Sequence, residues 1–132
     1  MRKSFVIIII CLGIFAALLS TCGPATSSDP AARAAENYLN ALVAKDSNRL
    51  ASLACATWET NALMELDSFQ AVQTRLDGLA CQTTGTDSGT TLVTCKCKIV
   101  ATYNNEDQEL DLSVRTYHVV QEGGEYLVCG YR

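Results

Sequence analysis

The chain has 132 residues, a formal net charge of −4 at pH 7 and seven cysteines. Its length allows one small domain and excludes a multidomain enzyme. An acidic chain is a poor partner for nucleic acid and for anionic lipid headgroups, because both carry negative charge. We therefore predict no nucleic-acid partner.

The N-terminus has the layout of a secretory signal. Arg2 and Lys3 supply positive charge, and an apolar stretch follows from Phe5 to Leu19. That stretch holds about 15 residues, whereas a membrane-spanning helix needs about 20. We predict a cleaved signal over residues 1–21, with an uncleaved anchor as one alternative.

The residues that close this stretch are Leu19-Ser20-Thr21-Cys22. They resemble the lipobox of bacterial lipoprotein signals, in which the cysteine is diacylated and becomes the first mature residue. The resemblance implies that Cys22 carries fatty acids such as palmitate. It also implies export, with the chain anchored on the outer side of the cytoplasmic membrane or to the cell envelope. Thr21 departs from the usual Gly, Ala or Ser, so ordinary cleavage near Ala25 is the other alternative. Residues 22–29 then form a polar tether.

Residues 30–132 change their hydrophobic period once. Apolar residues first recur at helical spacing and predict three helices, over residues 30–45, 46–55 and 58–69. Asp29-Pro30 opens the first helix with a capping side chain followed by proline at the first helical position. From Leu79 the apolar residues alternate, which predicts an antiparallel meander of four strands over residues 79–84, 90–103, 110–120 and 125–131.

Alternation along these strands predicts which side chains face the helices. The register follows from centring the first hairpin on Ser88 and from pairing Tyr103 with Leu110. This register predicts a row of neighbouring side chains across the inner face of the sheet. A shift of one residue in the strand pairing would separate them. The row contains Cys81, Cys95, His118 and Cys129.

Five cysteines lie beyond Cys11 and Cys22, and export would place them in an oxidising compartment. We predict two disulfides, one between the adjacent strands and one between a helix end and the last strand, with a spare thiol. The alternative pairings exchange Cys95 with Cys97. A zinc site is disfavoured because neighbours on a flat sheet rarely form a tetrahedron, and no metal or cofactor is predicted. The predicted bridges are Cys81–Cys95 and Cys55–Cys129, and the spare thiol is Cys97.

Helices followed by a curved antiparallel sheet occur in the cystatin-like or nuclear transport factor 2-like fold. The segment from Tyr38 to Asp46 and the closing segment from Tyr117 to Arg132 resemble small exported proteins of that superfamily. The resemblance implies an α+β domain over residues 30–132, with N-terminal helices packed on a curved four-stranded sheet that forms a cone with a pocket. The superfamily includes isomerases, dehydratases, transport factors and binding modules, so its fold does not identify a function.

Enzymes of this fold place a carboxylate, tyrosine or histidine in the cone, and no spacing in this chain singles out a catalytic residue. We therefore predict no catalytic residue and expect that the protein is not an enzyme. The candidate pocket residues are His118, Tyr103 and Asp67.

The leading hypothesis is a lipid-anchored binding or envelope-associated module with an unknown small ligand or protein partner. An isomerase- or dehydratase-like enzyme that uses the cone pocket is one alternative. Another is an accessory domain that binds a protein partner through its outer sheet face. Relatives of the fold often pair through that sheet, which implies a homodimer as a further use of it. Alternation predicts that the outer face carries Lys96, Lys98, Arg115 and Tyr117.

Overall fold

The computed structural model describes residues 27–132. It contains three helices, α1 (Pro30–Val43), α2 (Ser47–Leu53) and α3 (Glu59–Ser68). Five strands follow, β1 (Gln73–Asp87), β2 (Thr90–Tyr103), β3 (Glu106–Asp111), β4 (Thr116–Glu122) and β5 (Glu125–Tyr131). The α+β class agrees with the prediction, but the antiparallel sheet has five strands and not four. The predicted signal and lipidation site lie outside the described residues.

Hydrogen-bonded caps define both ends of α1. The Asp29 carboxylate accepts a hydrogen bond from the Ala31 backbone N–H at 2.9 Å, as its position before a proline predicts. At the other end Lys45 adopts a left-handed conformation with φ 56°. The Asp46 N–H then donates to the Ala41 carbonyl at 3.1 Å, which completes a Schellman-type ending. No helix among residues 27–132 is long and apolar enough to cross a membrane.

The three β-hairpins within residues 27–132 use two-residue turns whose central residues both have positive φ, namely Ser88-Gly89, Asn104-Asn105 and Gly123-Gly124. Such turns match the right-handed twist of the strands that they connect. The tight asparagine turn corrects one predicted pairing, because Tyr103 lies opposite Glu106 and not opposite Leu110.

The predicted strand over residues 110–120 is interrupted, which accounts for the fifth strand. The Ser113 N–H donates to the Asp111 carboxylate at 2.8 Å, and the Arg115 N–H donates to the Leu112 carbonyl at 3.0 Å. These bonds turn the chain between β3 and β4, and the fully buried Leu112 holds the turn against the core. As a result β3 pairs with the second half of β2, while β4 pairs with its first half.

The interruption shifts the register of β4 and reverses which of its residues face the core. His118 lies opposite Leu92, and not opposite Cys95 as predicted. A shift of three residues changes the face of every side chain, so Tyr117 faces the core and His118 the outer side of the sheet. A register shift in the β4–β5 pairing also falls at His118, so the predicted pairing with Cys129 is absent.

Both predicted disulfides are present. Cys81 and Cys95 are direct partners on β1 and β2, with Cα atoms 4.0 Å apart. The Cys55–Cys129 bridge joins the segment after α2 to β5, with Cα atoms 5.2 Å apart. Cys97 is left as a buried free thiol, as predicted. The two bridges therefore connect strand to strand and helical layer to sheet.

The core lies between α1 and the inner face of the sheet. Alanines make up much of the buried face of α1, and their small side chains allow the helix to pack closely on the strands. The largest fully buried side chains include Tyr38, Leu39, Leu42, Leu50, Leu66, Ile99 and Tyr117.

Candidate functional site

A charged and aromatic cluster lies where α3 meets the ends of β4 and β5. α3 supplies Glu65, the segment before β4 supplies Arg115, and the last strand supplies Tyr131. The Arg115 Nη1 donates to Glu65 Oε1 at 2.8 Å, and the two side chains are only 17% and 12% exposed. The Tyr131 hydroxyl donates to the same carboxylate oxygen at 3.2 Å. With Tyr117, these residues form what we call the interior cluster.

Aromatic rings enclose this ion pair. The Arg115 guanidinium lies 4.0 Å from the centroid of the Tyr131 ring, a cation–π contact. Tyr117 and Trp58 meet the same ring edge-on, with centroid separations of 5.7 and 5.5 Å. Trp58 also packs on Gly130, where φ is +131° and a Cβ atom would lie 3.4 Å from the indole ring. The rings therefore exclude solvent from the charged pair.

The interior cluster offers little acid–base chemistry. Burial raises the pKa values of the Tyr38 and Tyr117 phenols far above the usual range, so both lose a proton even less readily than an ordinary tyrosine. The Tyr38 hydroxyl accepts a hydrogen bond from the Trp58 indole N–H at 3.1 Å. Arg115 balances the charge of Glu65, whose second oxygen, like the Tyr117 hydroxyl, is buried without a partner among the described residues. This arrangement suits packing better than proton transfer.

The structure does not bring the predicted pocket residues together. Asp67 is exposed on α3, and Tyr103 is 57% exposed at the end of β2. His118 lies half-buried on the outer face, where its Nε2 atom is buried without a partner among the described residues. The three candidate residues therefore do not line one pocket: the register of β4 turns His118 outward, the tight turn after Tyr103 leaves that residue exposed, and Asp67 lies on the exposed side of α3.

The predicted outer face is corrected in the same way. Lys96 and Lys98 do lie on it, whereas Arg115 and Tyr117 belong to the interior cluster. Sequence reasoning also missed Glu65. Its position in the sequence could have indicated burial, because Glu65 lies within a stripe of apolar residues at helical spacing on α3.

Cys97 is a structural thiol. It is 5% exposed although it borders a groove of about 340 Å³, and burial together with the charge of Asp111 raises its pKa to about 11. Within residues 27–132, no group of three or more His, Cys, Asp or Glu side chains could hold a metal ion.

We expect Cys97 to resist alkylation by iodoacetamide at pH 8 in the native protein. A thiol with this pKa has roughly a hundredfold less thiolate than a free cysteine, and thiolate is the reacting form. Peptide mass spectrometry should show Cys97 labelled in urea without reductant, and almost unlabelled without urea. Rapid labelling of the native protein would contradict the assignment.

A polar groove of about 440 Å³ lies beyond the C-terminal end of α1, and we call it the amide groove. Four of its side chains are carboxamides, and its one aromatic ring is that of the exposed Tyr103. A second groove of about 300 Å³ lies at the N-terminal end of the same helix. Neither groove is lined by the interior cluster. The amide groove is lined by Lys45, Gln70, Ala71, Val72, Gln73, Thr102, Tyr103, Asn104 and Asn105.

Comparison with known proteins gives a likeness of fold. No protein-family model matches the chain, and no curated protein matches it significantly. Among solved structures, Aln2 from a Streptomyces species is similar, with a TM-score of 0.56 and 12% sequence identity. The match covers 75% of this chain and 82% of that chain. At this identity the likeness shows a shared arrangement of helices and sheet and nothing about activity.

Proposed function

We propose that the protein is an exported, lipid-anchored binding module of the cell envelope with a cystatin-like cone and no enzymatic activity. The observation that carries the proposal is the interior cluster. Its ion pair between Glu65 and Arg115 is largely buried and is enclosed by aromatic rings, so neither charge is free to act as an acid or a base. A ligand could enter only by separating two charges that are largely removed from water, which is costly.

Export is supported by the two disulfides, since such bridges persist in oxidising compartments. Anchoring through Cys22 rests on the lipobox-like residues Leu19-Ser20-Thr21-Cys22, and the way the chain enters the domain would keep such an anchor close to it. The Ser27 backbone N–H donates to Glu36 Oε2 at 3.3 Å, and Glu36 Oε1 accepts from the Cys81 N–H at 3.2 Å. A buried carboxylate thus ties the end of the predicted tether to the sheet, so a lipid at Cys22 would hold the domain a few residues from the membrane.

The enzyme alternative would require Glu65 to leave Arg115 and act as a base. The partnerless second oxygen of Glu65 and the hydroxyl of Tyr117 are the features that favour it. The accessory-domain and homodimer alternatives would use the outer sheet face. That face keeps Lys96 and Lys98 but lacks the arginine and tyrosine expected there.

The anchoring is tested by the intact mass of the protein purified from native membranes. We expect a chain that begins at Cys22 and carries a diacylglyceryl group. Reduction should raise its mass by about 4 Da, because each of two bridges takes up two hydrogens.

A Cys22→Ser variant is the matched control and should lack the adduct while keeping both disulfides. A mature chain that begins beyond Cys22, or one without the adduct, would contradict lipid anchoring. An unchanged mass on reduction would contradict the oxidised state.

A further inference from the structure

The amide groove has the composition of a site for a ligand rich in hydroxyl groups. A carboxamide both donates and accepts hydrogen bonds, and so does each hydroxyl of a sugar. Tyr103 is 57% exposed, so its ring offers a flat apolar surface beside these polar groups. An aromatic ring next to hydrogen-bonding side chains matches a sugar ring, which has an apolar C–H face and polar edges. The carboxamides are Gln70, Gln73, Asn104 and Asn105.

Backbone conformation fixes the positions of three side chains that line the groove. Four non-glycine residues among residues 27–132 have positive φ, and three of them line this groove: Lys45, Asn104 and Asn105. Glycine is the residue that adopts this conformation at least cost. Asparagine also adopts it readily, so Asn104 and Asn105 suit the tight turn after β2, and Lys45 ends α1. These two local structures hold the three side chains at the rim of the groove.

The charge of the groove favours a neutral ligand. Lys45 is its one charged lining residue, and its ammonium donates a hydrogen bond to the Val72 carbonyl. The chain as a whole carries a formal net charge of −4. An anionic polymer would meet repulsion from the acidic surface and only one cation that is already engaged.

We propose that the amide groove binds a neutral saccharide, such as a segment of an uncharged envelope glycan. This inference rests on the proposed function, since it names the ligand class of the binding module. The groove lies at the C-terminal end of α1, and the tether joins the N-terminal end. A helix of 14 residues separates the two by about 20 Å, so the groove is held away from the tethered end of the domain.

The test is a titration of the full ¹⁵N-labelled chain in mild detergent, followed by NMR. The probes are maltotetraose and tetra-N-acetylchitotetraose, with polygalacturonate as the anionic comparison. We expect saturable shifts of residues 70–73 and 102–105 with at least one of the neutral probes. Tyr103→Ala should weaken binding by about fivefold or more, because the stacking surface is lost. Tyr103→Phe keeps the ring and should retain most of the affinity.

Met64→Ala is the matched control, because Met64 is 59% exposed on α3 and lies outside the groove. Three results would overturn the proposal: no saturable shift with either neutral probe, binding of polygalacturonate alone, or equal affinity in Tyr103→Ala. Each of these leaves the mass of the lipidated chain unchanged. Conversely, an unlipidated chain that binds the saccharide would contradict the anchor and not the groove.

Discussion

Removal of the Cys55–Cys129 bridge is expected to lower the free energy of unfolding by about 4 kcal/mol. The bridge spans 74 residues of sequence, so it restricts a long loop in the unfolded chain. The Cys81–Cys95 bridge spans only 14, and its removal should cost about 3 kcal/mol. The two paired alanine variants can be compared by urea unfolding without reductant.

Cys97→Ala is the control, because it removes a buried thiol without removing a bridge. It should lower the free energy of unfolding by about 1 kcal/mol. The Cys55 N–H also donates to the Val128 carbonyl at 2.9 Å, so the native position of this segment does not depend on the bridge alone. A larger loss for the short-loop bridge would contradict loop entropy as the main cause. It would indicate instead that Cys81–Cys95 holds the native pairing of β1 and β2.

Features of the fold with local causes could be predicted from the sequence. Asp29 before a proline predicts the start of α1, and the glycine pair at Gly123-Gly124 predicts the last hairpin. Cys81 lies opposite Cys95 as predicted, although the turn is centred between Ser88 and Gly89 and not on Ser88. A β-bulge between Thr83 and Gly85 offsets the difference. In each case the deciding interactions lie within a few residues of one another.

The position of β4 could not be predicted because it depends on contacts between residues that are distant in the sequence. The turn at residues 112–115 is held partly by burial of Leu112 against the rest of the core, which alternation alone does not reveal. A continuous strand and an interrupted one have similar patterns, yet they place His118 on opposite faces. The wrong positions expected for His118 and Tyr117 follow from this register, and that of Tyr103 from the tight turn after it.

The interior cluster was missed because charged residues are assigned to solvent by default. Burial of the Glu65 carboxylate is stable only because it pairs with Arg115, which lies 50 residues later in the chain. Arg115 had been placed on the outer face by the same register error. A charge within an apolar stripe is thus a signal that a distant partner exists, although it does not identify that partner.

Single substitutions in the ion pair are expected to be far more damaging than the double one. Glu65→Leu leaves the Arg115 guanidinium largely buried without a counter-charge and should lower the free energy of unfolding by about 3 kcal/mol, as should Arg115→Met for the carboxylate. The double variant Glu65→Leu/Arg115→Met replaces the pair with apolar groups and should cost only about 1 kcal/mol. Urea unfolding of the four proteins forms a double-mutant cycle, which isolates the coupling between the two side chains.

The exposed pair between Lys98 and Glu109 is the matched control for this cycle. Its side chains are 45% and 54% exposed, so water screens their attraction. Lys98→Met, Glu109→Leu and the double variant should therefore change the free energy of unfolding little. If Glu65→Leu instead left stability unchanged or raised it, the carboxylate would be held at a cost to the fold. Such a cost is typical of groups retained for function, and the result would favour the enzyme alternative over a closed binding module.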